Sequence, residues 1–93
     1  MATSTIKKTE IRIVEIPYSN FSWDNDSKSF IYSNPNIPLN NLFGFIVRPT
    51  NGAAMLQAFM NYNKMELKVF GYIPSIGSQI NSDYVFEIYA IGN

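Results

Sequence analysis

The stretch KMELKVFGYI, residues 64–73, has the most regular pattern in the chain. Met65, Leu67 and Val69 alternate with charged residues, and a period of two is typical of a strand with one buried face. We therefore predict a strand here, with these three apolar side chains pointing into a core. Such a strand needs partners on both sides, so the flanking segments decide what kind of domain it belongs to.

Further short runs of β-branched and aromatic residues flank this strand, separated by turn signals rich in Pro, Gly and Asn. They are TEIRIVEIPY (9–18), SKSFIYS (27–33), LFGFIV (42–47) and DYVFEIYAI (83–91). Short strands between frequent turns are typical of a sandwich or barrel. The sequence therefore predicts one all-β domain over residues 1–93, a small antiparallel β-sandwich or jelly roll of six to seven strands.

Three of these runs carry more specific expectations. In the first, the apolar phase slips after Ile13, and a β-bulge near Val14 would explain the slip. The run 42–47 has no polar alternation, which predicts that both of its faces are buried. The run 83–91 is almost entirely apolar, which predicts a buried closing strand that locks this end of the chain into a sheet.

The segment AMLQAFMNY, residues 54–62, fits either a strand or a helix. Ala, Met, Leu and Gln are good helix formers, and four apolar residues would share one helical face. These are Met55, Leu56, Phe59 and Met60. The alternating positions fit the buried face of a strand equally well. They are Ala54, Leu56, Ala58, Met60 and Tyr62. The short connection to the next strand favours the strand.

The composition excludes several classes of function. The chain has no cysteine and no histidine, which removes disulfides, the usual transition-metal ligands and the common nucleophile–base pairs. Seven basic residues balance seven acidic ones without a run of either sign, so the sequence shows no footprint for nucleic acid. The acidic residues and glycines form no recognisable catalytic pair or phosphate loop. We predict no enzyme activity, no cofactor and no metal site.

The surface and the N-terminus add expectations about partners and location. Charged residues make up 15% of the chain, against roughly 25% in typical soluble domains, and this deficit favours a homo-oligomer. The first ten residues, MATSTIKKTE, lack the apolar run of a signal peptide, and no stretch is long and apolar enough to span a bilayer. We predict a soluble chain that is made in the cytoplasm and does not insert into membranes.

The stretch YSNFSWDNDSKSF, residues 18–30, supplies the candidate ligand-binding residues. Sugar sites stack an apolar sugar face on an aromatic ring and bind hydroxyl groups with carboxylates and amides. The side chains of these types are Tyr18, Phe21, Trp23, Asp24, Asn25 and Asp26. Alternation also places Phe21 and Trp23 on one strand face, so a position in the core or at a subunit interface stays open.

The same stretch only partly resembles a calcium-binding loop. Asp24 and Asp26 match the first two ligand positions, but Lys28, Ser29 and Pro35 replace the third ligand, the glycine and the closing glutamate. A lysine ammonium would repel the ion. The sequence therefore predicts a polar turn that joins two short strands, because Asp and Asn favour turns by bonding their own backbone.

The half of the chain from FGFIV (43–47) to YAIGN (89–93) resembles the C-terminal modules of tail-fibre and receptor-binding proteins of phages that infect Gram-positive bacteria. Those modules have strands in the slots that residues 43–47, 55–62, 65–72 and 84–91 fill here. The opening STIKKTEIRIVEIP (4–17) looks like their lead-in strand.

The resemblance implies a non-enzymatic virion structural protein, either of the fibre-tip type or a free-standing decoration protein. Such a protein packs as a homo-oligomer, with a trimer favoured, resides in the virion and contacts host cell-surface polysaccharide through loops or inter-subunit grooves. Two alternatives stay open. One is a small phage-encoded inhibitor of a host defence protein, and the other is a monomeric carbohydrate-binding module.

Overall fold

The computed structural model describes residues 3–5, 10–50 and 54–93, and these residues are almost entirely β. They form eight strands and one 3₁₀ turn, Tyr18–Asn20. The strands are β1 Arg12–Ile16, β2 Ser22–Asp24, β3 Ser29–Ser33, β4 Leu42–Pro49, β5 Met55–Asn61, β6 Glu66–Ile73, β7 Ser78–Gln79 and β8 Phe86–Gly92. The all-β prediction is confirmed. The described residues form more strands than the six to seven predicted, and one of the eight, β7, has only two residues.

The strands divide into two antiparallel sheets. Sheet 1 has the order β1-β8-β4, and sheet 2 has the order β2-β3-β6-β5, with β7 also paired to β6. The core lies between their inner faces. It consists of Ile16, Phe30, Leu67, Val69, Ile80, Tyr84, Phe86, Ile88 and Ala90. Two packed sheets with alternating inward side chains form the predicted small sandwich.

Strand β6 lies where the alternating pattern predicts it, and two of the three side chains predicted to point inward are buried. Leu67 and Val69 are completely buried, whereas Met65 is 45% exposed. The prediction for Met65 is wrong because the turn at residues 62–65 ends on it, with a φ of 50°. The Asn61 side chain accepts hydrogen bonds from the backbone N–H groups of Asn63 and Lys64 at 3.2 and 3.4 Å, which stabilise this turn.

The segment 54–62 contains strand β5, so the helical alternative is wrong. β5 pairs with β6 along its whole length, from Met55 opposite Tyr72 to Asn61 opposite Glu66. The tight turn returns the chain directly alongside β6, where a strand satisfies its backbone hydrogen bonds and a helix would not fit. The alternation that predicted the strand holds from 55 to 60, where the odd-numbered residues are exposed and the even-numbered ones are half-buried. The prediction is wrong for Tyr62, which is exposed because the turn after β5 begins at it.

The prediction of a β-bulge near Val14 in β1 is wrong. β1 pairs with β8 in unbroken register from Arg12 to Ile16. Ile13 points outward and is 65% exposed, so the apparent slip reflects an apolar residue on the outer face. The described ladder between β4 and β8 shifts register instead between Leu42 and Gly44.

In the single chain, strand β4 is buried on only one of its two faces. The prediction that both faces are buried is therefore wrong for the single chain. Phe45 and Val47 point inward, whereas Ile46 is 48% exposed on the outer face of sheet 1. By contrast, β8 is the buried closing strand that the sequence predicts. Its inward residues Ile88 and Ala90 are completely buried, and β1 and β4 flank it on both sides.

Backbone hydrogen bonds fasten the last residue to the loop before β4. The Asn93 carbonyl accepts from the N–H groups of Asn40 and Asn41 at 2.7 and 3.2 Å, and the Asn93 N–H donates to the Asn41 carbonyl at 3.0 Å. The Asn41 side-chain amide also donates to the Asn93 side-chain oxygen at 2.8 Å. We call this arrangement the asparagine clamp. It confirms that this end of the chain is locked into the fold.

Candidate functional site

Six aromatic side chains form a connected cluster between the two sheets near β2. They are Tyr18, Phe21, Trp23, Phe30, Tyr32 and Phe86, and we call them the aromatic cluster. The buried Phe86 ring of β8 contacts three of the others edge-on, with centroid distances of 4.9 to 5.3 Å. Such edge-to-face contacts are favourable geometries for aromatic rings. The cluster therefore packs the β2 region onto sheet 1.

Tyr18 and Phe21, two of the predicted ligand-binding residues, pack into this cluster. The Tyr18 hydroxyl donates to the Tyr84 carbonyl at 2.8 Å. Burial, with a smaller contribution from the charge of Asp83, raises the pKa of Tyr18. Phe21 lies between Phe86 and Tyr32, at ring distances of 5.3 and 5.6 Å. Both side chains therefore have packing partners within the fold.

Trp23 lies at the boundary between the core and the surface. Its ring packs against Phe30 at 5.0 Å, and the residue also lines two surface grooves of about 590 and 340 Å³. The larger one, which we call the Trp23 groove, runs across the outer side of β2, β3 and the start of β6. Its polar lining consists of Asn20, Ser22, Asp24, Ser33 and Glu66. The smaller groove lies between the β2–β3 turn and residues 78–82.

The turn between β2 and β3 is held by its own side chains, as the sequence predicts. The Asp24 carboxylate accepts hydrogen bonds from the Ser27 hydroxyl at 2.5 Å and from the Asp26 N–H at 3.3 Å. The Lys28 ammonium donates to the Asn25 side-chain oxygen at 2.9 Å. The polar groups that a calcium ion would need are therefore partly used within the turn.

The hydrogen bond from Ser27 holds the pKa of Asp24 below its usual value, with smaller contributions from backbone N–H groups and Lys68. A lowered pKa in the folded state stabilises the fold above the ordinary aspartate pKa, and this stabilisation is lost as the pH falls through the lowered value. We expect Ser27→Ala to move the Asp24 pKa upward, as measured by NMR titration of the side-chain carboxyl. Ser19→Ala, in the 3₁₀ turn, is the control and should leave it unchanged. An unchanged Asp24 pKa in Ser27→Ala would contradict this assignment.

The structure brings only part of the predicted residue set to one surface. Trp23 and Asp24 line the Trp23 groove, whereas Asn25 lines the smaller groove and Asp26 is exposed in the turn. Sequence reasoning missed Ser33 and Glu66 as groove residues. Both occupy outward strand positions and face each other across β3 and β6, a pairing that alternation within one strand does not reveal.

The outer faces of both sheets carry exposed apolar side chains. On sheet 2, four of them cluster on β5 and β6, and we call this group the β5–β6 patch. It consists of Met55, Phe59, Phe70 and Tyr72. The Phe59 and Phe70 rings contact each other edge-on at 5.8 Å. On sheet 1, the outer face carries the exposed Ile13 and Ile46 and the half-buried Tyr89 and Ile91. They lie beside Glu15 and an Arg48–Glu87 ion pair of 3.3 Å.

No group of three or more acidic side chains in 3–5, 10–50 and 54–93 is arranged to hold a metal ion. The same ranges contain no helix long and apolar enough to cross a membrane. Comparisons of the chain with protein-family models, with curated proteins and with solved structures find no match.

Proposed function

We propose that this chain is a non-enzymatic structural protein of a phage virion that packs against further copies of itself and contacts host surface polysaccharide. The observation that carries the self-packing is the β5–β6 patch together with the apolar outer face of sheet 1. The virion assignment rests on the resemblance of residues 43–93 to tail-fibre modules. The polysaccharide contact is assigned to the Trp23 groove.

The side chains of the β5–β6 patch are exposed to solvent. Met55 is 69% exposed and Phe59 is 43% exposed, although both are apolar and lie on a regular strand. Monomeric soluble proteins rarely expose contiguous apolar patches of large area, and such patches mark sites of association. Because both sheets carry apolar side chains on their outer faces, a copy of the same chain offers a chemically matching surface.

The pKa of Asp24 does not suit this residue to act as the general acid of a glycosidase. A general acid in a glycosidase needs a raised pKa. The pKa of Asp24 is lowered instead, by its hydrogen bond from Ser27. A carboxylate of this kind is suited to accepting hydrogen bonds from hydroxyl groups.

The self-packing is tested by measuring the mass of the protein in solution over a concentration series, by light scattering after size-exclusion chromatography. We expect a stable oligomer, with a trimer as the favoured state. Phe59→Glu should shift the mass toward the monomer, because it places a carboxylate in the apolar contact.

Ile76→Glu is the matched control, since Ile76 is 66% exposed in the turn before β7 and lies outside the patch. We expect this variant to keep the oligomer. A wild-type protein that stays monomeric at every concentration would rule out the fibre-type proposal. Equal dissociation of both variants would place the contact elsewhere.

A further inference from the structure

We infer that the Trp23 groove selects uncharged saccharides and disfavours polymers that carry phosphate groups. This inference rests on the proposed polysaccharide contact and names the chemical class of the ligand.

Four of the five polar residues of the groove lie on three adjacent strands, which fixes them relative to one another, and Asn20 lies in the 3₁₀ turn. Ser22 of β2 lies opposite Ile31 of β3, and Ser33 of β3 lies opposite Glu66 of β6. Side chains at such paired positions are neighbours on the sheet surface. The volume of about 590 Å³ falls within the range of small-ligand sites. Groups placed on paired strands are held more precisely than groups on a loop.

The apolar part of the lining matches one face of a sugar ring. Ile31 of β3 and Trp23 of β2 are both half-buried and both line the groove. The Trp23 ring is held by its contact with Phe30. Most of the lining residues are polar, which suits a ligand that carries many hydroxyl groups.

The charges of the groove are negative. Asp24 and Glu66 both line it, and in the described ranges no lysine or arginine does so. The nearest cation in the ladder is Lys68, which lies opposite Ile31 and whose charge acts on Asp24. Sugar hydroxyls can donate hydrogen bonds to the two carboxylates, and the Asn20 amide can donate and accept. A phosphate group in the same place has no cation in the lining to bind and is repelled by both carboxylates.

The inference is tested by isothermal titration calorimetry, which measures the affinity of the wild-type protein for two kinds of probe at low ionic strength. One is a panel of neutral hexose and N-acetylhexosamine oligosaccharides, and the other is a glycerol-phosphate polymer. We expect binding of at least one neutral probe and an affinity for the polymer at least about tenfold lower, equivalent to about 1.4 kcal/mol. Equal or tighter binding of the polymer would overturn the charge selection while leaving the polysaccharide contact in place.

If the proposed polysaccharide contact itself is wrong, neither kind of probe binds. This result is distinguishable from a failure of the charge selection, in which the polymer binds. Glu66→Gln is the diagnostic variant, since it keeps the size of the side chain and removes one of the repelling charges. We expect it to narrow the difference between the probes. Asp83→Asn is the matched control, as it removes one negative charge from an exposed loop outside the groove. If both variants change the ratio equally, net charge and not the groove sets the preference, and the inference fails.

Discussion

Phe86→Ala is expected to lower the free energy of unfolding by about 3 to 5 kcal/mol, the usual cost of truncating a buried phenylalanine. The Phe86 side chain is 2% exposed and contacts the rings of Tyr18, Phe21 and Phe30 edge-on. The substitution would leave a cavity at the point where β8 of sheet 1 meets the aromatic cluster. Small domains have a total stability of only about 5 to 15 kcal/mol, so the variant would be close to unfolding.

Chemical denaturation followed by tryptophan fluorescence measures this effect, because Trp23 belongs to the same cluster. Phe70→Ala is the matched control, since Phe70 is 36% exposed on the outer face of sheet 2. Phe70→Ala should lower the free energy of unfolding much less than Phe86→Ala does, in a sample kept dilute enough to prevent association. Equal losses in the two variants would mean that the cluster does not hold the sheets together.

Gly92→Ala is the second substitution with a large expected effect. A Cβ atom at this buried position would collide with the carbonyl oxygen of Asn41. That oxygen belongs to the backbone of the asparagine clamp, where it accepts from the Asn93 N–H, so it cannot rotate away as a side chain would. We expect a loss of about 1 to 3 kcal/mol, the usual range for overpacking, in the same denaturation experiment.

Gly44→Ala is the control for this prediction, because it makes the same change in the neighbouring strand of sheet 1. A Cβ at Gly44 would meet no atom within 4 Å. The added methyl group should therefore leave stability almost unchanged or raise it slightly, since alanine has less backbone freedom to lose than glycine. A smaller loss at position 92 than at position 44 would show that the clamp yields without cost.

The sequence predicted the fold class because alternation and turn signals act locally. Leu67 and Val69 repeat with a period of two, and that period is sufficient to place β6 and its buried face. The errors arise where an apolar residue is not buried by its own chain. The pattern around Ile13 indicates a bulge near Val14, and the pattern around Ile46 indicates a second buried face, yet both isoleucines lie on the outer face of sheet 1.

The candidate site was less predictable than the fold. The turn after Trp23 was predicted because Asp and Asn side chains bond their own backbone, an interaction that spans only a few residues. The Trp23 groove also needs Glu66, which reaches it through the pairing of β3 with β6. Tyr18 has the residue type of a sugar platform, but its hydroxyl donates to the carbonyl of Tyr84, 66 residues away in the sequence. The positions of both Glu66 and Tyr18 therefore depend on contacts with residues that are distant in the sequence.

Because β8 lies in the middle of sheet 1, we expect this sheet to assemble later than the local β5–β6 hairpin. In the described ladders, β1 and β4 each pair with β8 and not with each other. The β5–β6 hairpin can form early because a short turn joins its strands, whereas β1 must wait for a partner from the opposite end of the domain. Pairings of such long range make folding slow. A chain truncated before β8 would keep β1 and β4 as unpaired strands, which are templates for aggregation.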